Sequence, residues 1–104
     1  MKSILQDAKE DYFFRKICGY DVTSNLQKHH IFGGPNRQIS EDNGFWVWLI
    51  DYNHTGMTAN TPLGFKGVHH NREKDLELKQ DCQRKFEETH TREEFMRLIG
   101  RNYL

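Results

Sequence analysis

The sequence predicts a small α+β domain, with strands in its first half and helices in its last third. Three observations carry that prediction. Runs rich in aromatic and β-branched residues lie between positions 12 and 50, the firmest being Phe45-Trp46-Val47-Trp48-Leu49-Ile50. The segment Gly33-Gly34-Pro35-Asn36 breaks the chain firmly between two of those runs. From Asn71 onward, apolar residues recur at helical spacing within dense alternating charge. With 104 residues there is room for one core, so residues 1–104 are expected to form one domain.

Taken in order, residues 3–10 read as a helical or extended lead-in anchored by Ile4 and Leu5. Tyr12-Phe13-Phe14 and Ile17-Cys18 have strand-like content, and Gly19, Asp21, Ser24 and Asn25 supply turn chemistry after them. Leu26 to Phe32 is a second strand. Ser40 to Gly44 reads as a turn before the strong strand at 45–50. Alternation there sets Phe45, Val47 and Leu49 on one side and Trp46, Trp48 and Ile50 on the other, both partly buried. Asp51 to Gly67 reads as a loop with a short turn of helix around His54. Leu78, Cys82 and Phe86 fall at i, i+4 and i+8, the stripe of an amphipathic helix spanning roughly 71–89. Thr91 with Glu94 is a capping box that opens a last helix, whose Phe95, Leu98 and Ile99 face inward and which Gly100 ends.

Composition narrows the function classes. Formal net charge is zero over the chain, and it balances again within residues 1–24, 25–71 and 72–104. That argues against binding DNA through bulk electrostatics, but not against an enzyme that meets one or two phosphates with a bound cation. No apolar stretch approaches a membrane span or a signal-peptide core, so no membrane partner and a cytoplasmic location are expected. The two cysteines, Cys18 and Cys82, exclude a four-cysteine zinc knuckle and read as reduced, buried thiols. Trp46 and Trp48 read as core, and the charged helical third as a solvated face.

Histidine carries the functional signal. Five of the six histidines, His29, His30, His54, His69 and His70, lie within about forty residues. Imidazole serves as a metal ligand or general base near neutral pH without a large pKa shift. Adjacent residues on a strand point to opposite faces, so His29 and His30 cannot both be core filler. His90, between two threonines at a helix cap, reads as surface.

The ordered set His29-His30-Ile31-Phe32-Gly33-Gly34-Pro35-Asn36-Arg37, then Gly44-Phe45-Trp46-Val47-Trp48-Leu49, then His54, continues with Gly67-Val68-His69, Asn71-Arg72-Glu73, Asp75-Leu76 and the tail from Phe95 to Leu104. It resembles the HNH nucleases with a ββα-metal fold. The closer similarity is to small HNH-like proteins encoded by phages and prophages of Gram-positive bacteria. The similar stretch covers about residues 24–104, with a core over about 24–90 and an additional C-terminal helix over 91–104. The resemblance implies a metal-dependent DNA endonuclease or nickase. It implies that His29 binds a divalent cation, that His30 is the general base, and that His54 and His69 are the remaining ligands, with His70 as an alternative. Such a ligand set suits Zn²⁺, Ni²⁺, Co²⁺ or Mn²⁺, and admits Mg²⁺ if water completes the shell. Arg37 is the best phosphate contact, with Lys28 and Arg72 as further contacts and Asn36 placed to orient His30 or the substrate. DNA is the expected partner, alongside other phage packaging or recombination proteins. A noncatalytic DNA- or protein-binding module is the alternative. In two respects the chain departs from the pattern: its hairpin must be held by aromatic packing instead of zinc, and the stretch Thr55 to Lys66 is longer than the resemblance implies.

Overall fold

A computed structural model describes all 104 residues. It is a compact α+β protein, a two-stranded antiparallel hairpin followed by a helix, with further helices around it. Helix α1 spans Tyr12–Cys18, strand β1 Leu26–His30, α2 Arg37–Asn43, β2 Trp46–Ile50, α3 Asp51–His54, α4 Arg72–Phe86 and α5 Arg92–Ile99. No helix is long and apolar enough to cross a membrane.

Pairing of β1 with β2 sets His29 opposite Val47 and His30 opposite Trp46. Phe45, Val47 and Leu49 are fully buried, so the expected alternation holds and His29 shares their core-directed side. Trp46 and Ile50 are also buried, and Trp48 is half-buried. The strand β1 ends at His30, two residues before the expected Phe32, although Ile31 and Phe32 remain buried. Aromatic packing holds the hairpin: Phe32 and Phe45 lie edge-to-face at 5.8 Å, with Phe86, Phe95 and Tyr103 closing around them.

Two segments differ from the sequence expectation. Tyr12–Cys18 is helical, not a strand. Asp11 caps it by accepting from the Phe14 amide at 2.9 Å, and Gly19 closes it in the left-handed conformation. These caps outweigh the aromatic content, because Phe13 is buried from a helix as well as it would be from a strand. Asp11 is itself buried, and its second oxygen accepts from the Ile50 amide at 2.7 Å, which ties α1 to the end of β2. Likewise Ser40 to Asn43 belongs to α2, not to a turn. Pro35 starts a 3₁₀ turn over Gly34–Asn36 that feeds α2 directly, and the turn-forming residues of that stretch are the last turn of the helix before Gly44. Cys18 is exposed where a buried thiol was expected, because the C-terminal end of α1 faces solvent.

The C-terminal third follows its pattern. Leu78, Cys82 and Phe86 are buried on α4. On α5 the Thr91–Glu94 capping box is formed, Phe95 and Ile99 are buried, and Gly100 caps the helix at φ 87°. Gln83, also fully buried, holds the tail by donating to the Asn102 side chain at 2.8 Å and accepting from the Tyr103 amide at 2.8 Å.

Candidate metal centre and adjoining cleft

His29 lies one residue from the end of β1 on its core-directed side. His54 is the last residue of α3, which begins immediately after β2. The β1–β2 register therefore brings the C-terminal end of β2 beside the start of β1, and a single helical turn carries His54 back over the strand. His69 arrives from farther away. It sits in a 3₁₀ turn, Val68–His70, that is anchored by the buried Val68 side chain and runs into the Asn71 cap of α4.

What returns His69 is a pinch at the base of the long loop. The Gly67 amide donates to the Gly56 carbonyl at 2.9 Å, so residues 57–66 form a closed excursion. Gly67 lies flush against the backbone of His54, where a Cβ would come within 2.7 Å of the His54 carbonyl oxygen. Only a glycine allows that approach, and two residues later the chain presents His69.

One nitrogen from each of His29, His54 and His69 lies within 4.8 Å of the other two. The Nε2 atoms of His54 and His69 are 2.9 Å apart. Two imidazole nitrogens on one tetrahedral ion sit about 3.3 Å apart, so the spacings present bracket that requirement. His29 is 8 % exposed, and its Nε2 is buried with no hydrogen-bond partner. An orphaned buried nitrogen costs roughly 1–3 kcal/mol unless something occupies its lone pair. Burial and the neighbouring His54 and His69 push the His29 pKa down to about 3, and burial followed by His69 pushes that of His54 down to about 4. Both rings are thus neutral at physiological pH, the form that binds metal. His54 Nδ1 donates to Gln27 Oε1 at 2.7 Å, which turns its Nε2 lone pair toward the centre. These three histidines can hold a metal ion. His70 is exposed and lies outside the group.

His30 projects to the other face of β1. Its Nε2 is 2.7 Å from Oε2 of Glu41 on α2. Two clefts of about 440 and 320 Å³ nevertheless share His29, His30, Gly33 and His69 in their walls, so both histidines of the pair open onto one region. Arg37 is exposed and lines the smaller cleft with Lys28 and His54. Arg72 is exposed at the start of α4 and lines the larger one with His70. Lys28 is already engaged: its Nζ lies 3.2 Å from Glu41 and 4.1 Å over the Trp46 ring. Asn36 is tied elsewhere, since its amide donates to the Ile99 carbonyl at 3.1 Å, and the ring of His30 is met by Glu41 instead.

Two residues of this site were missed from the sequence. Gln27 was legible, being two residues from His29 on the same strand face. Glu41 was not, because its placement depends on a helix where the residue types suggested a turn. Compared with models of known protein families, with curated proteins and with solved structures, the chain matches none.

Proposed function

We propose that the protein is a divalent-metal-dependent DNA endonuclease or nickase with a ββα-metal core of the HNH kind, formed by β1, β2 and α3. The observation that carries this reading is the convergence of three imidazoles around the orphaned Nε2 of His29, with a fourth, His30, opening onto the same cleft. His29, His54 and His69 would hold the ion, and their nitrogen donors favour Zn²⁺, Mn²⁺, Ni²⁺ or Co²⁺, with Mg²⁺ admitted if water completes its shell. A bound cation supplies charge neutralisation at the phosphate and at the leaving 3′ oxygen.

His30 takes a proton from water as its oxygen attacks phosphorus. The bond from phosphorus to the 3′ oxygen breaks, the departing oxygen is protonated by solvent, and the products carry a 5′ phosphate and a 3′ hydroxyl. Arg37 and Arg72, exposed in the walls of the smaller and the larger cleft, are free to meet phosphates flanking the reacting one.

Plasmid nicking with Mn²⁺, Mg²⁺, Zn²⁺ or Ni²⁺ tests the proposal. Replacing His30 by Ala is expected to lower the rate by roughly 10²–10⁴-fold, while His90→Ala leaves it unchanged. Undiminished cleavage by His30→Ala would sink the mechanism. Absence of cleavage with every cation, together with a retained DNA mobility shift, would replace the enzyme by a noncatalytic binding module.

A further inference from the structure

Glu41 lies outside the three-histidine group and hydrogen-bonds none of its rings, yet it is the only side chain hydrogen-bonded to His30. We propose that Glu41 is the positioning residue for His30: its carboxylate accepts the Nε2 proton and so leaves Nδ1 as the atom that takes a proton from water. The inference rests on the nuclease reading above and adds to it a partner residue and an assigned nitrogen.

The chemistry follows from donor counting. An ionised carboxylate only accepts hydrogen bonds, so a neutral imidazole whose Nε2 lies 2.7 Å from Glu41 Oε2 must carry its proton there. The lone pair is then on Nδ1. Lys28 donates to both Glu41 oxygens, at 3.2 and 3.4 Å, which holds the carboxylate ionised and fixes its plane. Lys28 is steadied in turn against Trp46.

Backbone geometry fixes Glu41 as firmly as its partners do. The preceding residue, Ser40, is fully buried, and its hydroxyl accepts from the Phe32 amide at 3.2 Å while donating to the Phe32 carbonyl at 2.7 Å. That clamp joins α2 to the chain two residues beyond His30, so Glu41 and His30 are held by one local unit. When His30 takes the proton from water, both its nitrogens are protonated, and the adjacent carboxylate offsets the charge of the imidazolium until solvent removes the proton. A buried carboxylate does this work in serine-protease triads, where its loss costs about 10⁴-fold in rate. Here the Glu41 side chain is 40 % exposed, which lowers the expected effect to roughly 10- to 100-fold.

The test pairs spectroscopy with kinetics. ¹⁵N-resolved imidazole spectra of the metal-free protein at pH 8 are expected to show His30 as the Nε2–H tautomer. In Glu41→Ala they should show a mixture of both tautomers. In plasmid nicking, Glu41→Ala is expected to lower kcat by roughly 10- to 100-fold, with KM for DNA, zinc affinity and melting temperature nearly unchanged. Glu41→Asp should recover part of the rate and the Nε2–H signal. An unmoved tautomer in Glu41→Ala, or a kcat within twofold of the parent, would overturn the role of Glu41 while leaving the nuclease reading intact. A native protein that cleaves with no cation overturns the parent reading and the catalytic role together, even where the tautomer shift shows that Glu41 holds His30.

Discussion

Strand geometry turns His29 toward the core side and His30 toward Glu41, and the two imidazoles take different chemistry from those surroundings. His29 is held neutral by burial down to about pH 3, and His54 by burial and His69 down to about pH 4. In the unfolded chain both rings titrate near the ordinary value of about 6.5. Between those limits the unfolded state binds more protons than the folded one, so stability must fall as pH drops below about 6.5. Above that value the contribution is complete and flat. For the well-buried His29 the limiting slope is about 1.4 kcal/mol per pH unit. Hydrogen-bonded partners hold the carboxylates Glu41, Glu77, Glu87 and Glu94 below their usual range, at Glu77 against its burial; such groups lose stability as pH falls below their ordinary value of about 4.3, so they add little between pH 7.5 and pH 5. Chemical denaturation of the metal-free protein at pH 7.5 and pH 5 checks the expectation. A midpoint that does not fall between them would mean that His29 is not buried as a neutral ring.

At the scale of elements, the centre depends on a junction of two backbones more than on any helix. Gly67 lies against His54, and the Gly67–Gly56 hydrogen bond closes the excursion that separates His54 from His69. Gly67→Ala is expected to force the two backbones apart, lowering stability by about 1–3 kcal/mol. Calorimetry should show weaker zinc binding even where the variant still folds. Equal affinity for zinc in folded Gly67→Ala would mean that His69 does not need the pinch. This junction also marks where the sequence stops being readable. The helices α4 and α5 were legible because a three-to-four periodicity and a capping box are local signals, and β2 because six apolar residues in a row have few other uses. The helices α1 and α2 were not. The first is written in strand-favouring residues and depends on the buried Asp11 as cap, and the second is written in turn-favouring residues and depends on Ser40 clamping to Phe32. Asp11 is fixed by the Ile50 amide of β2 as well as by its own helix, and Ser40 by packing against the Phe32 backbone, so contacts beyond each helix override its local propensity.

Across the whole molecule, the same distinction separates the parts of the candidate site. The histidines that converge were legible as residue types and by order along the chain, but their convergence depends on the loop pinch, and the partner of His30 depends on α2. Charge reinforces the picture of a localised site. Net charge is zero, and eight of the fifteen lysines and arginines are engaged in ion pairs. Among the cations left without an ion pair, Arg37 and Arg72 line the clefts beside the histidines, where a bound cation would add to their attraction for a phosphate backbone. The proposed site therefore centres on its metal ion. Titrating zinc into the metal-free protein while following all six histidines by imidazole NMR tests it most directly. Saturation is expected at one equivalent, with the ring signals of His29, His54 and His69 changing together while those of His70 and His90 stay in place. Saturation through His70 or His90, or no saturable change at any histidine, would contradict it.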